Sequence, residues 1–372
     1  MRCNENEQIY TNVCSHELYF KEKKMRILKN FIKKTTVLTL SAALIVGSLT
    51  GCGNDKNGSA KDSNKITITN VSYDPTRELY VEYNKAFTEY YKEKTGKDVE
   101  VVPSHGGSGS QARSIIEGND ADVATLALAH DITAVEEAGL INKGWIDEFS
   151  GNSSPYKSTI VFLVRKGNPK GIQDWDDLIE DGVDVITPDP KSSGAADWAV
   201  LAIWNYAKVT FNNDEDKMKD FLGKIYANVL VMDSGARGAT TTFVENGQGD
   251  VLIDWENEAL ATLKEYPDEY EMITPSISIL AEPSVAIVDE NADKNGTQEV
   301  AKEYLEYLYT EDAQRIIGKN FYRPSNEKIL NEFKDTFDLS VNLCTIDDFG
   351  GWDQAYADFF ADGGIFDQVY SK

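Results

Sequence analysis

The chain has 372 residues, with 62 Asp and Glu against 37 Lys and Arg, for a formal net charge of −25 at pH 7. That length can bury a large core and favours two domains. Acidity of this degree excludes a protein that grips nucleic acid or an anionic membrane through a basic face.

From Met25 the sequence reads MRILKNFIKK, then TTVLTLSAALIVGSLT, then GC. A basic stretch followed by an apolar one that ends in small residues is the pattern of a secretion signal, here residues 25–51. Its apolar part is shorter than the ~20 residues a spanning helix needs. Leu49, Thr50, Gly51 and Cys52 resemble the lipobox of bacterial lipoproteins, in which the cysteine is acylated and tethers the protein. Residues 1–24 have no place in such a signal and are expected to be an upstream extension. Cys3 and Cys14 go with the leader and Cys52 with the lipid, so Cys344 is left without an intrachain partner, as a small buried apolar residue. The first 51 residues hold 8 of the basic and 4 of the acidic side chains, which leaves 29 against 58 and a net charge of −29 for the exported part.

Residues 52–65 are almost wholly polar and small, a flexible tether. Order begins at Ile66. ITITNVS alternates as a strand does, and DPTRELYVEYNKAFTEYYKEKTG predicts a helix with Leu79, Tyr83 and Phe87 on one face, Asp74 at its N-cap and Pro75 in its first turn. Strand and helix then alternate. DVEVV leads through SHGGSGS into a helix, ADVATLAL into HDITAVEEAGL, and TIVFLVRKG is followed by the short acidic helix DWDDLIEDG. VDVITP runs through DPKSSGAADW into AVLAIWNYAK, NVLVMD through SGARGA into TTTFVENG, and DVLIDW into ENEALATLKEY. This βαβα order predicts an α/β fold with mostly parallel sheets and flanking helices.

Three of the strand-to-helix turns, SHGGSGS, DPKSSGAA and DSGARGA, place Ser, Gly or Ala at a helix start. The first amides of a helix have no intrahelical partner, and its dipole adds about half a positive charge there. Stripped of bulky side chains, such starts let a backbone approach an anion closely, and Ser108 and Ser193 can add hydroxyls. Catalysis has little support. His105 and His130 are the only histidines after the leader, the loop lacks a G-x-S-x-G elbow, and His105 is expected to pack beneath its turn. Asp254, Glu256 and Glu258 are acids of a helix start, which the dipole alone favours. No spacing of His, Cys and carboxylates suggests a metal, and no P-loop is present. Gly107-x-Gly109-x-x-Ala112 matches the loose dinucleotide fingerprint but sits on a second strand.

NVSYDPTRELY, SHGGSG, ADVATLALAHDI, STIVFLVRKGNPK, VITPDPKSSGAADW, DSGARGATTTFVENGQGDVLIDWENEAL, ILAEP, KNFYRP and FGGW together resemble the sulfate-binding proteins of bacterial ABC importers, in order from about Asn70 to the C-terminus. The resemblance implies a two-lobed type II periplasmic binding protein that closes about a hinge. It implies lobe I at 66–155 plus 258–372 and lobe II at 156–257, with crossings near 151–158 and Asp254 and a C-terminal helix on the first lobe. It also implies a dehydrated sulfate held by Ser108, Ser193, Gly194, Ala195 and Ala236 and by the indole N–H of Trp255, with Asp74 and Arg237 in support and no cofactor. Ala195 departs from the Gly usual in the family, and Asp254 from a smaller apolar residue. Alternation along DVLIDW would turn Asp254 away from Trp255 and the ligand. A cradle of donors alone suits fully deprotonated sulfate, whereas hydrogen phosphate brings a proton that meets no acceptor. The expectation is a monomeric, non-enzymatic, lipid-anchored receptor that delivers sulfate to a membrane permease. The alternatives are a thiosulfate, molybdate or phosphate receptor of the same fold and, in another class, a dinucleotide-binding oxidoreductase.

Overall fold

A computed structural model describes residues 65–370. The expected leader, Cys52 and nearly all of the tether lie outside the described residues. In chain order, β1 (Lys65–Tyr73) passes through a 3-10 turn at Asp74–Thr76 into α1 (Arg77–Thr95), followed by β2 (Asp98–Gly106), α2 (Ser108–Ile116), β3 (Val123–Leu126) and α3 (Ala129–Glu137). The short β4 (Tyr156–Lys157) and β5 (Ile160–Arg165) lead to β6 (Val185–Pro188), α4 (Gly194–Thr210), α5 (Glu215–Ala227), β7 (Val229–Asp233), α6 (Ala236–Val244), β8 (Val251–Trp255) and α7 (Glu256–Glu265). β9 (Tyr270–Ile273), β10 (Ile277–Ile279) and β11 (Ser284–Ile287) come next, then α8 (Gln298–Tyr307), α9 (Glu311–Lys319), β12 (Arg323–Pro324) and β13 (Asn342–Cys344).

Two sheets organise these elements. One has the order β11-β3-β1-β2 with β1, β2 and β3 parallel, and the other the order β7-β6-β8-β5-β9 with β6, β7 and β8 parallel. β5, fully apolar from Ile160 to Val164, is buried among antiparallel neighbours β8 and β9, which explains why it has no polar face. α1 buries Leu79, Tyr80, Tyr83, Phe87 and Tyr91 along one stripe, as 3.6-residue spacing requires, and stops at Gly96 in the left-handed region. Asp74 differs from its expected role. Tyr73 occupies the N-cap, and the Asp74 carboxylate instead holds Arg77 at 2.8 Å.

Two of the segments that join the sheets lie side by side. Ser158 and Ala281 exchange both backbone hydrogen bonds, each 3.0 Å. β4 pairs with β12 just beside them. The crossing expected near Asp254 is therefore displaced to about Ala281, because β9 stays in the second sheet beside β5. Another correction concerns the C-terminus. β13 pairs with β10, and Trp352, Phe359 and Phe366 pack on Trp198 and Trp204 of α4 and Tyr226 of α5, not mainly on the first sheet's helices. Alternating large rings on this tail read equally well as a face for either sheet, so periodicity alone could not choose.

Candidate functional site

The carboxyl ends of the strands in the two sheets face one another, the place where open α/β sheets receive ligands. Four turns meet there around a small void lined by Tyr73–Pro75, Gly106–Ser108, Ser193–Ala195 and Gly235–Ala236, with Ala127 and Trp255. At about 10 Å³ open to the centre of a water molecule, the void suits one compact polar group and not an organic ligand, whose pockets run to hundreds of Å³.

Each helix start offers backbone amides. No side chain caps α2, α4 or α6 at their N-caps Gly107, Ser193 and Gly235, so their first N–H groups are not consumed by capping. Ser193 gives its own amide to the Asp189 carbonyl at 2.9 Å, which leaves Gly194 and Ala195 as amide donors and the Ser193 hydroxyl beside them. Trp255 is wholly buried, and its indole N–H has no partner in the protein. Leaving such a donor unpaired costs about 1–3 kcal/mol, so its position at the void calls for an acceptor. The Tyr73 ring, 5.8 Å from the indole, fixes its orientation.

Glycine answers a steric demand at two of these turns. A Cβ on Gly107 would stand 2.8 Å from the Ser192 carbonyl oxygen and 3.2 Å from that of Ser234, both on turns of the opposite sheet. One on Gly194 would stand 2.9 Å from the Ala127 Cβ and 2.8 Å from the Leu128 Cγ. Backbone therefore meets backbone across the cleft at Gly107, and side chains crowd the backbone at Gly194.

Acidic groups near the void are either occupied or driven toward neutrality. The Ser108 hydroxyl donates to Asp131 at 2.5 Å and accepts from the Ala127 amide at 2.9 Å, so its proton is not directed at the void and its amide is the group that faces it. Burial pushes the Asp131 carboxyl up to about 6, against the pull of Ser108 and Arg113. Asp254 is buried, accepts from the Trp255 amide at 2.8 Å and from Thr240 at 2.7 Å, and does not line the void, in keeping with strand alternation. Burial raises Asp254, and raises Glu258 to about 7 with Arg237 opposing. Arg237 also lies outside the lining, where it grips Glu78 of α1 with both guanidinium nitrogens, at 3.2 and 2.7 Å.

Thus the structure brings Ser108, Ser193, Gly194, Ala195, Ala236 and Trp255 to one void with Asp74 at its edge, and sets Arg237 behind it. His105 is half-buried at the end of β2, with burial and nearby Arg77 lowering its pKa, and forms no pair with Ser108. Tyr73 and Asp131 went unnoticed in the sequence. Tyr73 carries no polar-turn signal, and the pairing of Asp131 with Ser108 spans 23 residues and two elements. Among the described residues, no cluster of His, Cys and carboxylates is arranged to hold a metal ion.

Comparison with known proteins shows the family. The sequence matches the family model of bacterial extracellular solute-binding proteins over residues 68–323. It is 56% identical over 315 residues to the sulfate-binding protein of Escherichia coli (strain K12), an alignment covering 84% of this chain and 94% of that one. To the thiosulfate-binding protein of Pseudomonas aeruginosa it is 44% identical over 306 residues, covering 82% and 92%. Among solved structures it is similar to the sulfate-binding protein SubI from Mycobacterium tuberculosis H37Rv, with a TM-score of 0.72 and 32% identity over 79% of this chain and 99% of the other.

Proposed function

The chain belongs to the bacterial extracellular solute-binding proteins, and from that membership we propose that it is the sulfate receptor of an ABC importer. The observation that carries the reading is the buried, unpartnered indole N–H of Trp255 beside uncapped helix starts. Ser108, Gly194, Ala195 and Ala236 supply amides, Ser193 a hydroxyl and Trp255 the indole, while Asp74, tied to Arg77, and Arg237 brace the surrounding turns.

Such a site works by exchanging water for fixed dipoles. Sulfate loses its hydration shell on entry, and oriented amides at helix starts replace it without reorganising. Neutral hydrogen-bond donors satisfy its four acceptor oxygens. Hydrogen phosphate would place a donor proton against other donors, and an unmet buried polar group is enough to reject it by orders of magnitude. Ala195 preserves the amide that a Gly would give.

The paired segments at Ser158 and Ala281 are the natural hinge, so that 160–279 turns against 66–155 together with the chain from Ser284 to about 335. The protein acts as a monomer, is tethered by lipid on Cys52 through residues 52–65 outside the cell membrane, and hands sulfate to the permease.

Isothermal titration of the purified, exhaustively dialysed protein tests this reading. Sulfate binds at one site per chain while phosphate is silent, and Trp255→Phe with Ser193→Ala abolishes most of the affinity. Silence with sulfate, or stronger heat with thiosulfate, molybdate or phosphate, would refute it, as would full affinity in the double variant.

A further inference from the structure

The cleft is bridged on two flanks. On one, Arg237 of the second sheet's α6 reaches Glu78 on α1 of the first. On the other, the bridging is done by the C-terminal segment. It begins after Gly350 and Gly351, both at positive φ, and lies along α4 and α5. Trp352 meets Trp198 edge to face at 4.6 Å, Phe359 meets Trp204 at 5.1 Å, and Phe366 meets Tyr226 at 4.9 Å. Lys191, two residues before Ser193, donates to the Phe360 carbonyl at 3.0 Å and pairs with Asp367 at 2.7 Å. The segment is thereby fastened to the turn that presents the Gly194 and Ala195 amides.

From this base one side chain reaches across the cleft. Residues Tyr356–Phe360 form a single π-helical turn, a rare element that re-aims side chains within a helix. Tyr356, at its start, stacks on His130 of the first sheet's α3, ring centroids 3.8 Å apart and planes 17° from parallel. His130 immediately precedes Asp131, the acceptor of the Ser108 hydroxyl. Beside this stack the Trp198 indole donates to the Ala127 carbonyl at 3.1 Å, also across the cleft. Both ends of the stack therefore lead, within a few residues, to groups that line the anion void.

We propose that segment 352–370 is an interlobe latch, in which the Tyr356–His130 stack forms as the lobes close, breaks as they open, and so sets how long the anion stays bound. The latch rests on the reading that an anion is captured by closure. A stack made only in the closed form slows dissociation and leaves association nearly unchanged. Worth the usual range for an aromatic pair, its loss speeds release roughly 2- to 12-fold.

Stopped-flow dissociation of sulfate, followed by intrinsic fluorescence, decides the matter with the purified protein and its Tyr356→Ala, His130→Ala, Tyr356→Phe and double Ala variants. Each Ala variant should release sulfate roughly 2- to 12-fold faster, the double should be no faster than the singles, and Tyr356→Phe should match the unsubstituted protein. The melting temperature without sulfate should not move, since Tyr356 is already 36% exposed. Unchanged release in Tyr356→Ala, additive effects in the double variant, or a lowered melting temperature that accounts for the loss would each overturn the latch. A complete absence of sulfate signal in the unsubstituted protein would instead overturn the functional reading, and the latch with it.

Discussion

Replacing Gly107 by Ala adds one methyl group at the narrowest approach between the two sheets. The new Cβ would lie 2.8 Å from the Ser192 carbonyl oxygen, where ordinary contact begins near 3.4 Å, so the turns must part by about 0.6 Å. Neither obstacle is a flexible side chain. Ser192 is held by its amide to the Asp189 carbonyl at 3.0 Å, and the Ser234 carbonyl accepts from the Ser192 hydroxyl at 3.1 Å. Backbone strain does not enter, because Gly107 has φ −58° and ψ 137°, open to any residue. Overpacking by a methyl typically costs about 1–3 kcal/mol, and here it falls only on the closed form, in which the turns touch. Sulfate Kd should rise roughly 5- to 150-fold, with no change in the melting temperature of the free protein. Titration calorimetry measures the first and differential scanning calorimetry the second. Gly109→Ala is the control. Its Cβ meets Arg113 and Asp131 atoms at 3.5 Å, ordinary contact within one lobe, and binding should be nearly unchanged. Normal affinity in Gly107→Ala, or equal losses in both variants, would refute the idea that close backbone approach across the cleft explains this glycine.

Other consequences are equally direct. Trp255→Phe removes the unpartnered indole donor while keeping most of the ring, and should weaken sulfate binding roughly 10- to 150-fold by calorimetry, the worth of a hydrogen bond to a charged group. Glu78→Gln breaks the Arg237 clamp between partly exposed groups and should raise the dissociation rate only about 2- to 5-fold, less at high salt. Asp131, raised to about 6 from 3.8, is protonated in the folded state while the unfolded chain ionises, so stability falls as pH rises from about 4 to about 6 and is flat above. Two units at ~1.4 kcal/mol each make that fall about 3 kcal/mol, and urea melts of Asp131→Asn should show it gone. Burial pushes the Cys344 thiol up to about 12, so it should resist thiol reagents at pH 8 until the protein is unfolded.

How much of this was legible in the sequence depended on range. The strands DVEVV, VDVITP, NVLVMD and DVLIDW and the helices after them follow from local periodicity, and they appear in the fold as β2, β6, β7 and β8 with α2, α4, α6 and α7. The three Ser- and Gly-rich turns at the void were visible because Ser and Gly at helix starts are a local signal. What periodicity could not supply was partner choice. β9 carries a half-polar YEMI that gives no hint of its pairing with β5, and the aromatic tail could have packed on either sheet. In the fourth turn, Tyr73–Pro75, only Asp74 was marked, and by resemblance alone, because locally it looks like an ordinary helix cap, whereas the structure ties it to Arg77.

Formal charge is the remaining difficulty, since an acidic protein is an odd place to hold a dianion. The structure resolves it by distance and burial. Of the carboxyls nearest the cradle, Asp74 is paired with Arg77, and the others are shifted by burial. Burial raises Asp131 and, on the first turn of α4, raises Asp197 well above its usual value, with Asp131 and Asp189 adding to the shift. Asp131 is occupied by the Ser108 hydroxyl and neither carboxyl lines the void, while amides act on the anion at contact. The remaining acids are largely exposed and are screened over about 8 Å at physiological salt. Lowering the salt lengthens that range to about 30 Å at 0.01 M, so distant charges then act on the approaching sulfate. The arrangement predicts a division between rates. Between 0.01 and 0.15 M sodium chloride the association rate should rise as repulsion is screened, while the dissociation rate, governed by donors inside the closed cleft, should hardly change. Stopped-flow traces at the two salt concentrations separate the two. A dissociation rate that fell steeply with salt would mean that the surface charge, not the dipolar cradle, dominates the bound state.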